Sequence, residues 1–173
     1  MNWLKHRFSE VIVKFRTLFF LFMLLMGLSA TALAQSSASV VKIRPEQSSY
    51  KVKAGAPTAL ALVIEIDNGY HINSNRPADK NLIATALKFD RLPGFRVSPV
   101  VFPKAKLQKF EFSPKPLSVF EGKAVLKVTV WLLPALAGQA LTLKGKLTVQ
   151  ACNNQVCLRP QTLDVEIPLE VFK

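Results

Sequence analysis

Leu141-Thr-Leu-Lys-Gly-Lys-Leu-Thr-Val-Gln-Ala-Cys152 and Thr162-Leu-Asp-Val-Glu-Ile-Pro-Leu-Glu-Val171 are the stretches whose reading decides the fold. In the first, Leu141, Leu143, Leu147, Val149 and Ala151 alternate with Thr142, Lys144, Lys146, Thr148, Gln150 and Cys152. In the second, Leu163, Val165, Ile167, Leu169 and Val171 alternate with Thr162, Asp164, Glu166 and Glu170. A period of two with one apolar side marks a half-buried antiparallel strand, so the two stretches are expected to form a hairpin. Working outward, Ala59–Asp67 has the same period, with Leu60, Leu62, Ile64 and Ile66 on one side. Val40–Arg44, Tyr50–Lys53, Leu82–Phe89, Phe95–Phe102 and Lys123–Trp131 are further expected strands. All 11 prolines follow residue 34 and fall mostly between these runs, as turn punctuation. No window has a sustained helical period, and Lys80–Leu87 is expected to make one helical turn at most. Eight or so short strands predict an all-β antiparallel sandwich in a single domain, residues 35–173.

The first 34 residues are read separately. Lys5, Arg7, Lys14 and Arg16 precede the apolar run Leu18–Leu28, and Ala32-Leu33-Ala34 fits a small-residue cleavage site before Gln35. This is the pattern of a signal peptide, too short and wrongly flanked for a retained anchor. The sequence thus predicts export to the periplasm, cleavage after Ala34, and no stable membrane insertion afterwards.

The 23 Lys and Arg outnumber the 11 Asp and Glu. An exported protein with dispersed cations is not expected to bind nucleic acid, and Lys104, Lys106, Lys109 and Lys115 read as a solvated basic loop. Half the residues are apolar, which excludes a disordered chain. Seven glycines and two cysteines exclude collagen-like and disulfide-dense scaffolds.

Chemistry is concentrated in Cys152 and Cys157, separated by Asn153-Asn154-Gln155-Val156. In an oxidising compartment such a pair forms a disulfide unless something reduces it. Closing so short a loop removes only about 2 kcal/mol of chain entropy, little for a domain with this much apolar sequence. Cys152 also falls on the outward phase of its strand, where an incoming thiolate could reach it. Residue chemistry alone leaves two readings open, a redox pair and a surface staple. Metal binding is not expected, because His71 is the one histidine after the leader and a second cysteine pair is missing. Neither a G-x-S-x-G nucleophile motif nor a phosphate-cradling glycine loop occurs, and no cofactor is expected.

Gly69-Tyr-His-Ile-Asn-Ser-Asn-Arg-Pro77, Phe120-Glu121-Gly122 and Gln150-Ala-Cys-Asn-Asn-Gln-Val-Cys-Leu-Arg-Pro160 occur in that order. Together, over about Val41–Phe172, they resemble the periplasmic N-terminal domain of the thiol:disulfide interchange protein DsbD family. The resemblance implies an immunoglobulin-like sandwich with its cysteine pair at one end. It implies a monomeric thiol–disulfide oxidoreductase component, connected in that family with cytochrome c biogenesis. Electrons would arrive from a membrane thiol reductase and leave to thioredoxin-fold periplasmic proteins. On the same basis Cys157 would form the mixed disulfide and Cys152 resolve it. Phe120, with Glu121, would cap the pair, and His71 and Asn73 would line the active end. Arg159 would favour a thiolate, and burial would oppose it. The cysteine spacing is one residue shorter than in the best-known members. The sequence to Lys173 contains neither the membrane carrier nor the thioredoxin-like module that usually follows, so a separate reductase is expected. The alternative is a non-catalytic protein-binding sandwich with a structural disulfide.

The hairpin also carries a register conflict. If Cys152 faced Cys157 in an unbroken ladder, inward Leu147 would face outward Thr162. Pairing Leu147 with Leu163 and Val149 with Gln161 restores the match, provided one residue is absorbed between Cys157 and Thr162. Arg159-Pro160 is the expected bulge, since proline cannot donate to a ladder.

Overall fold

In the computed structural model, residues 35–173 are described. The expected signal peptide, residues 1–34, lies outside them. Among the described residues twelve strands run in chain order: β1 Val41–Pro45, β2 Tyr50–Lys53, β3 Thr58–Ile66, β4 His71–Asn73, β5 Ala86–Phe89, β6 Phe95–Val97, β7 Lys106–Gln108, β8 Leu117–Glu121, β9 Lys123–Leu132, β10 Ala140–Val149, β11 Ala151–Cys152 and β12 Gln161–Phe172. Two sheets, ordered β1-β3-β9-β6 and β2-β12-β10-β5, enclose the main core. Leu60, Leu62 and Ile64 of β3 and Leu126 of β9 meet Leu143, Leu147, Ile167 and Leu169 of β10 and β12 there, all essentially inaccessible to solvent. A third sheet, β11-β4-β8-β7, builds one end of the molecule. The architecture is an all-β, immunoglobulin-like sandwich, antiparallel except where β2 runs parallel to β12. Among the described residues, no helix is long and apolar enough to cross a membrane.

The alternating stretches behave as strands because one face of each is wet. On β10 and β12 the solvent face pairs Lys146 with Asp164 (2.8 Å) and Lys144 with Glu166 (3.2 Å). Exposed pairs of this kind contribute little stability, and burial of the opposite face carries the hairpin. Three expectations are corrected. Phe95–Phe102 is a strand only to Val97, since Pro99 interrupts it. Only Ala86–Phe89 of Leu82–Phe89 is strand. Lys80–Leu87 contains no helical turn, and Leu82 N–H instead closes a reverse turn on the Asp79 carbonyl (3.2 Å).

The bulge forms as expected. Leu147 pairs with Leu163 and Val149 with Gln161, while Cys152 bridges Cys157. Leu158 N–H donates to the Ala151 carbonyl at 2.8 Å, leaving Gln150 opposite both Arg159 and Pro160. Ser37 fills the resulting gap. Its hydroxyl donates to the Arg159 carbonyl (2.8 Å) and accepts the Ala151 N–H (2.9 Å), so a fully buried side chain completes the ladder. This restores hydrogen bonds that an unfilled bulge would lack. Sequence patterning gave no hint of Ser37.

Candidate redox site

At the hairpin tip Cys152 and Cys157 form a disulfide, with Cα atoms 3.9 Å apart. The tip between them is stiffened by Asn153, whose side-chain carbonyl accepts the N–H groups of Gln155 and Val156, both at 2.8 Å. Such an Asx turn fixes the loop through its own side chain. The two cysteines differ in exposure: Cys152 is 0% exposed, whereas Cys157 is half-buried.

The expected accessibility of Cys152 is therefore overturned, for a specific reason. Cys152 does occupy the face of its strand opposite Ala151, which belongs to the main core. That outer face, however, is covered. β11 pairs with β4, Cys152 opposite His71, and β4 pairs with β8, His71 opposite Glu121 and Asn73 opposite Val119. Cys152, His71, Asn73, Glu121 and Val119 consequently share one face, because partners in a ladder point the same way. Residues 109–116, joining β7 to β8, lie over this face. Phe110 stacks on the His71 imidazole with centroids 4.0 Å apart, Phe112 follows 5.5 Å beyond Phe110, and Phe110 packs with Leu117 and Val119 in a second small core.

Phe120 is not this lid. It pairs with Ile72 on the opposite face, is 4% exposed, and stacks on Phe102 in the main core. The phase of β8 decides the matter: Phe120 alternates with Val119 and Glu121, so it cannot share their side. The aromatic residues over the site are Phe110, fully buried, and Phe112, 38% exposed. The sequence analysis did not single them out: Lys109-Phe-Glu-Phe112 lies between proline-containing segments and continues no strand period. The lid is held by Lys109, whose ammonium donates to the Ser113 and Pro114 carbonyls, both at 2.6 Å. One cation of the expected solvated loop is thus a structural clasp.

His71, Asn73 and Glu121 lie on the covered face that Cys152 occupies. His71 is 2% exposed, and burial holds its imidazole below the ordinary 6.5, opposed by the nearby Glu121 carboxylate. Its Nε2 has no hydrogen-bond partner. The Asn73 amide donates to the Ile83 carbonyl (3.0 Å) and to Gln150 Oε1 (3.3 Å), while its own Oδ1 is buried without a partner. Glu121 is half-buried and pairs with Lys106 at 3.5 Å. A polar cleft of about 360 Å3 opens beside them, lined in part by Asp67, His71, Glu121 and Asn154. Clefts of about 530 and 820 Å3 elsewhere are lined by neither cysteine nor histidine. Among the described residues no cluster of His, Cys, Asp and Glu is arranged to hold a metal ion.

Solved structures with distant likeness include domains 4 and 5 of the S-layer protein SbsC (13% identity, TM-score 0.34, covering 76% of this chain and 51% of that one). The GAE domain of yeast GGA1 is similar at 14% identity and TM-score 0.38, over 79% of this chain and 96% of that one. The periplasmic chaperone SfaE follows at 12% identity and TM-score 0.29, over 76% and 56%. The chain thus spans about half the length of the S-layer and chaperone chains, and these likenesses are too distant to bear on function. No curated protein matches the sequence. The family "Thiol:disulfide interchange protein DsbD, N-terminal" matches residues 40–168, which include the cysteine pair, the lid, and His71, Asn73 and Glu121. This chain belongs to the DsbD N-terminal family of thiol–disulfide interchange domains.

Proposed function

We propose that this domain passes reducing equivalents in the periplasm, from a membrane thiol reductase to thioredoxin-fold proteins, through the Cys152–Cys157 pair. The unequal burial of the two cysteines carries the reading. A partner can reach Cys157, while Cys152 waits beneath the lid. In the dithiol state the Cys157 thiolate attacks a partner disulfide, a mixed disulfide forms, and one partner thiolate leaves. Cys152 then attacks Cys157, the bond to the partner breaks, and the second partner thiolate leaves with the electron pair. The domain ends oxidised and the partner reduced by two electrons. Reloading by the reductase runs the same steps in reverse. The fold supplies position and shielding, and the sulfurs supply the chemistry.

Equilibration with glutathione or dithiothreitol, read by alkylation and mass, tests the proposal. A reduction potential above about −300 mV is expected for an exchange pair. A value below that range would favour the alternative, a binding module braced by a structural disulfide. Cys152→Ser should in addition trap partners on Cys157, whereas Cys157→Ser should trap few, because Cys152 is enclosed.

A further inference from the structure

His71 is the titratable group that the exchange scheme leaves unused. It is the direct ladder partner of Cys152, on the same covered face, which places the two Cβ atoms about 5 Å apart. Its Nε2 is sealed from solvent and bonds to nothing while the cysteines are oxidised. An unmade bond on a buried polar atom costs about 1–3 kcal/mol, and a site that tolerates one commonly fills it in another state. The state that differs here is the dithiol, in which Cys152 gains a proton on the same face.

We infer that His71 Nε2 is the acceptor of the Cys152 thiol proton in the resolving step, and its donor when the pair is reduced again. The inference rests on the exchange reading above and adds its acid–base component. The tautomer with a proton on Nδ1 leaves Nε2 as a bare lone pair. As Cys152 Sγ bonds to Cys157 Sγ, its proton passes to Nε2. The bond from Cys157 to the partner breaks, and the partner sulfur departs as a thiolate. The imidazolium then releases its Nδ1 proton to water in the cleft that His71 and Glu121 line, leaving the Nε2–H tautomer that serves as donor in the reverse step. A lowered imidazole pKa keeps His71 neutral, hence able to accept, near pH 7.

The surroundings suit the role. From β8, Glu121 faces His71 and can steady the transient cation, while Lys106 of β7 moderates that carboxylate at 3.5 Å. From β11 the facing group is Cys152 itself, and from β4 the same-face neighbour is the uncharged Asn73. The lid contributes the apolar ring of Phe110 and turns its own cation, Lys109, onto its carbonyls. Asp67 is the remaining carboxylate of the cleft. Cys152 is fully buried, so an internal base replaces solvent as proton acceptor there.

Stopped-flow reaction of the reduced domain with one equivalent of dithiobis-nitrobenzoate separates the steps. The first thiobenzoate is released as Cys157 attacks, and the second as Cys152 resolves the mixed disulfide. For the wild type, the second rate should fall as pH drops below the imidazole range. His71→Phe retains the stack on Phe110 and removes the base. It should slow the second phase roughly tenfold or more near pH 7 and shift its pH dependence toward that of a free thiol, about 8.5. The first phase should stay within about twofold, because general-base effects are confined to the step that uses the base. A wild-type second phase without an inflection below the imidazole range overturns the inference, whatever the folding of the variants. So does an unchanged second phase in a folded His71→Phe or His71→Gln protein. Release of only one thiobenzoate by the wild type would overturn the exchange reading as well, which distinguishes the two failures.

Discussion

At the scale of single residues, the site depends on which of two aromatic positions faces the sulfurs. Phe110 and Phe120 are both buried, but they belong to different cores, so their removal has different consequences. Phe110→Ala should loosen the lid and speed alkylation of reduced Cys152, measured in a Cys157→Ser background, by about tenfold or more, since each 1.4 kcal/mol of lost closure is a factor of ten. Phe120→Ala should instead lower global stability by about 3–5 kcal/mol, read from denaturant midpoints, because it empties part of the main core. His71 adds a pH dependence. Burial depresses its folded pKa below the 6.5 of the unfolded chain, so the unfolded state binds more protons as pH falls through that window. Stability is therefore fully present above pH 6.5 and declines below it toward the folded value. Urea unfolding at several pH values should show the decline, and His71→Phe should remove it. The cysteines were legible in the sequence because nothing else offered sulfur chemistry. Phe110 was not legible, because a lid residue follows neither strand nor helix period.

At the scale of elements, strands with one wet face could be read and strands buried on both could not. β3, β9, β10 and β12 alternate in composition because their environment alternates. β4 and β8 carry His71-Ile-Asn73 and Leu117-Ser-Val-Phe-Glu121, polar and apolar residues buried on either side, and so have no pattern to find. The bulge was legible because register is arithmetic: inward residues must meet inward residues. Its plug was not, since Ser37 lies 114 positions from Ala151. Ser37→Ala removes the hydroxyl that joins the Ala151 N–H to the Arg159 carbonyl, and a loss of about 1–3 kcal/mol is expected. Amide exchange at Ala151 should accelerate with it, whereas exchange at the far end of the β10–β12 ladder should not. Gly145 makes a second demand. A Cβ there would lie 2.7 Å from the Lys88 carbonyl oxygen and 2.9 Å from the Phe89 ring, so β5 can approach β10 only opposite glycine. Gly145→Ala should cost about 1–3 kcal/mol through that clash and expose the β5 edge to exchange.

At the scale of the whole molecule, most contacts join residues remote in sequence, while the disulfide spans a separation of only 5. The bond can thus close in an unfolded chain, and with two cysteines in the whole sequence it has no wrong intramolecular partner. Unfolding and reduction then form a closed thermodynamic cycle. The difference in unfolding free energy between the oxidised and reduced domain must equal the shift that folding imposes on the potential of the pair. The cross-link alone would stabilise the oxidised form by about 2 kcal/mol through loop entropy. The buried His71 Nε2, unpartnered in the oxidised form and bonded to the Cys152 thiol in the dithiol inferred above, acts in the opposite direction. Paired denaturation curves, with and without reductant, are expected to show a smaller gap than the cross-link predicts. Each 1.4 kcal/mol of shortfall corresponds to about 30 mV toward a stronger oxidant. A calorimeter can therefore read how strongly this fold pulls electrons, with no electrode and no partner in the cell.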